Sequence, residues 1–234
     1  NEDNFDQLRR ALGITAAIYR GHDRPATAFG LHAAFADRQR LACREAGLPP
    51  LVASFGAALV DRAILDALLR LEHLSVFEGA RRNVFGLDAA TTPDLEDFDI
   101  DGFLAGLEPA ATIKVRHTVG LVDPIVRADQ TRESRLEDGL PETLEEVVET
   151  YGVDRFKLKV GGDLEADIER LSRIAAVIDQ LPHYEATLDG NEQYDDVDAV
   201  VALWERIAAT PALARLKDSI LFIEQPIART HALS

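Results

Sequence analysis

The chain has 234 residues, 47% of them hydrophobic and 28% charged, a globular composition that excludes a disordered or collagen-like protein. Acidic side chains number 41 against 25 Lys and Arg, so the formal charge is −16. That field repels phosphate backbones and anionic lipid, and it excludes general binding to nucleic acid or to a membrane surface.

From the first residues to about Leu87 the sequence is rich in Ala, Leu and Arg and reads as helical. The polar run Gly21-His22-Asp23-Arg24-Pro25 is a loop between helices, either an ordinary turn or a segment that closes over a substrate. The one cysteine, Cys43, lies in a helical stretch and reads as a buried structural thiol. A lone cysteine also excludes intramolecular disulfides, cysteine-rich zinc sites and CxxC redox chemistry. Pro49-Pro50 is expected to stop the preceding helix. Residues 55–74 form the clearest helical pattern, with Leu59, Ala63, Leu65, Leu68, Leu69 and Glu72 on one broad buried face. Residues 88–106 are acidic and turn-rich, carrying Thr91-Thr92-Pro93-Asp94, and mark the domain boundary. The expected domains are therefore 1–106 and 107–234. No apolar run is long enough to span a membrane, and Asn1-Glu2-Asp3-Asn4 is no signal peptide, so the expected compartment is the cytoplasm. The sequence holds no methionine, which gives the expectation that residues are missing from a longer protein.

After the boundary the rhythm changes. Residues 112–120 (TIKVRHTVG) are rich in β-branched side chains and read as a strand. Thr143, with Glu146 three residues on, has the spacing of a capping box and opens a short helix to Tyr151. Residues 155–160 alternate as a strand, Gly161-Gly162 breaks it, and Asp163 caps a helix to about Gln180 with Leu164, Ile168, Leu171, Ala175 and Ile178 on one face. Residues 185–189 are a third strand. A helix over 197–209 follows, capped by the Asp195-Asp196-Asp198 cluster, with Val200, Val201, Trp204 and Ile207 on its buried side. Residues 219–224 are a fourth strand, ended by Gln225-Pro226. Strand starts near 155, 185 and 219 lie 30 and 34 residues apart, a period that specifies parallel βαβ units.

Such units close either as an open doubly wound sheet or as a (β/α)8 barrel. No GxGxxG follows any strand, and Gly161-Gly162 alone reads as a strand-to-helix turn rather than a phosphate cradle. Each strand instead carries charge at or near its C-terminal end: Lys157 and Lys159, then Asp189, then Glu224. That is the face where barrels hold their catalytic groups, and a charge in a buried parallel strand is costly unless paired or bound to metal. The fold class expected is α/β, the first half of a TIM-like barrel.

In Phe156-Lys157-Leu158-Lys159-Val160, alternation sends both lysines to one face with Cα atoms about 6.6 Å apart. Like charges so placed are expected to lower the pKa of at least one ammonium, which could then act as a base. The competing reading is a solvated edge-strand face. Asp189-Gly190-Asn191, taken alone, is more simply an Asx-type turn. Glu224, taken alone, could be a helix-capping acid. Together, Asp189 and Glu224 on neighbouring strands, roughly 4.8 Å apart, can share a hard divalent cation, Mg2+ before Mn2+. On this reading Lys159 lies across the cavity, too far to ligate the metal.

Lys157-x-Lys159, Asp189-x-Asn191 and Glu224-Gln225-Pro226, in this order on consecutive strands, resemble the enolase superfamily, and within it the mandelate racemase and muconate lactonising enzyme branch. The resemblance implies an α+β capping domain before a modified barrel. It implies Lys159 as the proton-abstracting base, Lys157 as its pKa-tuning neighbour, Asp189 and Glu224 as Mg2+ ligands and Asn191 in support. It also implies removal of the proton α to a small carboxylate substrate through an enediolate, followed by racemisation or epimerisation, dehydration of a sugar acid, or cycloisomerisation. A homo-oligomer is expected. The family's third metal-binding acid lies on the next strand, but the chain stops at Ser234; residues 112–234 are 123 in number, about half of a typical barrel. A fragment of a longer protein is the expectation.

Two other functions remain open on the sequence. One keeps the barrel but makes a lysine the nucleophile of a Schiff-base aldolase or lyase. The other is a non-catalytic scaffold that binds carboxylates or proteins. The six histidines show no HxH or HxxxH pairing, so no zinc site is expected, and His117 reads as structural before it reads as a group at the barrel mouth. Ser54 lacks the GxSxG elbow of a hydrolase.

Overall fold

A computed structural model describes residues 2–89, 93–136 and 138–232. Thr91 and Thr92 of the acidic boundary segment, and Ser234, lie outside the described residues. The chain divides into two compact units, Asn1–Ala111 and Thr112–Ser234.

Among the described residues the first unit is helical: α1 (Glu2–Arg20), α2 (Ala28–Glu45), α3 (Pro50–Leu71), α4 (Val76–Arg81) and α5 (Ile100–Ala105). Residues 21–25 fall in the connection between α1 and α2. Thr27 opens α2, its hydroxyl accepting the Gly30 N–H at 2.9 Å. Pro49-Pro50 acts differently from the expectation. Helix α2 has already ended at Glu45, and Pro50 begins α3, where a fixed φ and a missing N–H suit the first turn.

The buried face of α3 also needs correction. It is made by Ala53, Gly56, Ala57 and Leu69, while Ala63 and Glu72 are exposed. The cause is close helix packing. A Cβ at Gly56 would come within 2.6 Å of the Ala11 carbonyl, so small residues set the α1–α3 contact where the sequence pattern put leucines. Gln39 crosses this small core, donating to Ala53 O at 2.8 Å and Thr15 Oγ1 at 3.1 Å. Cys43 beside it is fully buried, and burial pushes its thiol pKa up, as a structural role requires.

The second unit contains β1 (His117–Val119), α6 (Leu144–Tyr151), β2 (Arg155–Lys159), α7 (Leu164–Ile178), β3 (Glu185–Asp189), α8 (Val197–Ala209), α9 (Ala214–Ser219) and β4 (Ile220–Glu224). The sheet runs β1-β2-β3-β4 with every pair parallel. It is an α/β arrangement consistent with part of a barrel. The first strand is shorter than its β-branched sequence suggests. Ile113 and Val115 are exposed and find no strand partner, while Val119 is buried. The last strand is preceded by α9, a segment to which the sequence assigned no element, and it starts at Ile220 rather than 219.

Alternation decides the two faces of the sheet. Phe156, Leu158, Ala186 and Leu188 are buried in one core with Leu171, Ile174 and Ile178 of α7 and Leu203 and Ile207 of α8. Each of the Phe, Leu and Ile side chains among them contributes about 1.5–3 kcal/mol on burial. The α8 stripe is Val200, Leu203 and Ile207; Val201 and Trp204 are exposed, one residue off the expected face. Asp163 and Asp196 cap α7 and α8 through the Ala166 and Ala199 N–H groups.

Thr143 caps α6, its hydroxyl accepting the Glu146 N–H at 3.2 Å, but the reciprocal half of the capping box is used elsewhere. Glu146 accepts from the Glu142 N–H at 3.0 Å, Arg127 Nε at 2.9 Å and Arg135 Nη2 at 2.7 Å. The Glu142 amide, then Arg127, outweigh burial, and with Arg135 they hold the carboxyl at about 2, against an ordinary 4.5. A depressed folded-state pKa gives stability that is present above the unfolded value and is lost as pH falls. Urea unfolding should therefore find Glu146→Gln less stable than the parent near neutral pH. The difference should shrink between about pH 4.5 and 2. Parallel pH profiles for the two proteins would contradict this.

Candidate active site at the strand ends

Strand β2 pairs with β1 on one side and β3 on the other, which removes the edge-strand reading of its lysines. The register places Lys159 opposite Asp189 and Asp189 opposite Glu224, so three successive strand ends meet in one row. An irregularity in β4 makes this possible. Ala186 faces Ile220 but Leu188 faces Ile223, so β4 holds one residue more than β3 before the row of acids.

The charged side chains converge on Asp189, which is completely buried. Its Oδ2 lies 2.6 Å from Lys157 Nζ and 2.6 Å from Lys159 Nζ, and its Oδ1 accepts the Asn191 N–H at 3.0 Å. The last bond is the Asx-type turn that the sequence allowed, so the turn and the ion pairs coexist. Lys159 also donates to Asn191 Oδ1. Lys157 Nζ lies 2.7 Å from Glu224 Oε1, off hydrogen-bond alignment, and that buried oxygen has no hydrogen-bond partner.

Two sequence expectations are corrected here. Lys159 does not stand across a cavity from the acids; it is in contact with Asp189. Two ammoniums and two carboxylates of opposite sign on one water-poor face attract strongly enough to close the gap. Nor does the like-charge argument hold at Lys157, whose pKa is raised by its ion pairs with Asp189 and then Glu224, against burial. Burial alone would raise the Asp189 carboxyl, but Lys157, Lys159 and the Asn191 N–H together hold it at about 2.

The donor set suits a hard cation. Asp189 and Glu224 offer carboxylate oxygens from adjacent strands, they already clasp one cation in the Lys157 ammonium, and Glu224 Oε1 is buried without a hydrogen bond. Among the described residues no group of three or more His, Cys, Asp or Glu comes together to hold a metal.

Several groups that the sequence reading passed over lie close by. Arg116 Nη1 donates to Thr187 Oγ1 at 3.2 Å, and Thr187 shares its register position with Lys157. The Gly161 and Gly162 amides hold the buried carboxylate of Asp167, at 2.7 and 3.0 Å, which also accepts the Tyr194 hydroxyl at 2.6 Å. An Asp in the first turn after a Gly-Gly break was the available signal. His117 pairs in register with Phe156 and so belongs to the helix-side face, half-buried, its pKa pushed down by burial against Asp123. Ser54 donates to Pro50 O within α3 and has no catalytic partner.

A parallel sheet carrying a lysine pair and two acids at consecutive strand ends is consistent with part of an α/β barrel, which holds its functional groups at that face. Comparison with known families agrees. Residues 139–234 match the family described as "Enolase C-terminal domain-like", a domain of the TIM-barrel type in the enolase superfamily. Members of the superfamily are generally enzymes and typically bind Mg2+. Neither the curated proteins nor the solved structures contain a match to the chain. No helix among the described residues is long and apolar enough to cross a membrane.

Proposed function

We propose that the intact protein is a Mg2+-dependent enzyme of the mandelate racemase and muconate lactonising type, which removes the proton α to the carboxylate of a small acid and forms an enediolate. The observation that carries this reading is the single register row Lys159, Asp189 and Glu224 at three consecutive strand ends. Asp189 and Glu224 would hold the cation, which, when bound, polarises the substrate carboxylate and makes the α-proton acidic. Lys159 is the base that takes that proton at Nζ, and Asn191, already bonded to Lys159, fixes where Nζ points. Lys157, paired with Asp189 beside it, is the second ammonium of the site. The enediolate then collapses by racemisation or epimerisation, by loss of a β-hydroxyl from a sugar acid, or by cycloisomerisation.

The test is to incubate the intact protein with α-hydroxy and sugar acids in D2O with Mg2+ and to follow the α-proton signal by NMR. At least one acid should lose its α-proton, and EDTA should stop the loss. Exchange that survives exhaustive chelation, or no exchange across the set, would count against the proposal.

A further inference from the structure

We infer that Asp167, on α7, is a positioning residue for the strand-end site, acting through Tyr194 and the glycine turn after β2. Its carboxylate is buried, and its hydrogen bonds go to Gly161, Gly162 and Tyr194, none of them a group assigned to chemistry. It accepts three hydrogen bonds. Oδ1 takes the Gly161 N–H at 2.7 Å, and Oδ2 takes the Gly162 N–H at 3.0 Å and the Tyr194 hydroxyl at 2.6 Å. The first two fix the turn two and three residues after Lys159. The third anchors the loop that follows Asp189 and Asn191.

That loop is in turn tied to the residues after Glu224. The Gly190 N–H bonds Glu224 O at 3.0 Å, the Glu192 N–H bonds Gln225 O at 2.6 Å and the Tyr194 N–H bonds Pro226 O at 3.0 Å. Tyr194 also forms an isolated parallel bridge with Ile227. One carboxylate therefore links the turns behind all three strands that supply Lys159, Asp189 and Glu224.

The segments so linked need holding. Asn191, Glu192 and Gln225 have φ of 45°, 64° and 45°, left-handed values that cost a residue with a Cβ about 1 kcal/mol or more and persist where the surroundings over-determine them. The turn and the loop also interlock sterically. Gly162 has φ of 88°, and a Cβ there would lie 2.4 Å from Gln193 O. The bonds from Asp167 thus act on a strained segment next to the site, where a loosened backbone would move Asn191 and the two acids.

An amide in place of the carboxylate has one acceptor oxygen for three donors, so Asp167→Asn must leave at least one donor unmet. Tyr194→Phe removes a single hydroxyl and keeps the ring. In both variants of the full chain, hydrogen exchange at the Gly190, Glu192 and Tyr194 amides should quicken about tenfold, while the Ile174 and Ala175 amides of α7 stay as in the parent. Mn2+ affinity should fall about tenfold in Asp167→Asn. Unchanged exchange at the three loop amides would overturn the inference, as would equal acceleration in α7, which marks a purely structural loss. If Asp167→Asn fails to fold, Tyr194→Phe decides by the same comparison. The link between Asp167 and the site rests on the proposed function, but the exchange readout does not. A parent protein that binds no Mn2+ would sink the functional reading and leave Asp167 to be judged by exchange. A parent that binds Mn2+ with affinity unchanged in both variants would sink the positioning role alone.

Discussion

Replacing Lys159 by Ala is expected to slow exchange of a substrate α-proton with solvent deuterium by about 100- to 10,000-fold, the range of a positioned general base, while the protein still binds Mg2+. The expectation rests on placement. Lys159 ends β2 in the same register row as both acids, and its Nζ lies 2.6 Å from Asp189, so a substrate held at the carboxylates comes within its reach. Lys159→Arg sharpens the experiment. A guanidinium keeps the charge and the hydrogen bonds but does not give up its proton near neutral pH. Arg should therefore be as defective as Ala if Lys159 is a base, and near-parental if it serves only as a cation. Borohydride in the presence of a carbonyl substrate separates the Schiff-base alternative, because the proposed reaction forms no imine to trap. The raised pKa of Lys157 also makes it a poor nucleophile. Retained exchange in Lys159→Ala would remove the assignment.

The second large effect is on stability. Asp189 is completely buried and neutralises two ammoniums at once. Asp189→Asn keeps the shape but leaves Lys157 and Lys159 facing each other with one carboxylate fewer. Removing one partner of a buried ion pair costs about 3–5 kcal/mol, because the remaining charge stays desolvated. Urea unfolding of the variant should show a loss of that order. Adding Lys157→Met, which removes one of the stranded cations, should recover part of it, so the double variant should be more stable than Asp189→Asn. Glu224 is more exposed and meets one ammonium, so Glu224→Gln should cost only about 1 kcal/mol. Equal losses for the two acids would show that the charge convergence on Asp189 is not what stabilises this face.

Much of the second unit was legible in its sequence, for reasons that are local. Residues 155–159, 185–189 and 220–224 alternate or run apolar between turn signals, and Asp163, Asp196 and Thr143 sit where helix caps are needed. Charges at three successive strand ends were visible because a parallel strand tolerates them at its C-terminal end and hardly elsewhere. What could not be read depends on partners distant in sequence. The lysine–acid contacts follow from interstrand register and from the irregularity in β4, which no single segment encodes. Ile113 and Val115 have strand propensity but no strand to pair with, so β1 is short. The helix α3 buries alanines and a glycine because α1 approaches it closely, a tertiary fact that overrides the leucine stripe. Gly161-Gly162 looked like a bare turn, and its occupant, the Asp167 carboxylate, became apparent only once α7 was placed behind it.

A Mn2+ titration of the intact protein, followed by the paramagnetic resonance of the free ion, decides whether Asp189 and Glu224 form one divalent-cation site. One saturable site that Mg2+ displaces is expected, with affinity at least about tenfold weaker in Glu224→Gln, since a neutral amide is a poorer ligand for a hard cation. The melting temperature of that variant should stay close to the parental value. Absence of saturable binding, or the same affinity in parent and variant, would contradict the site.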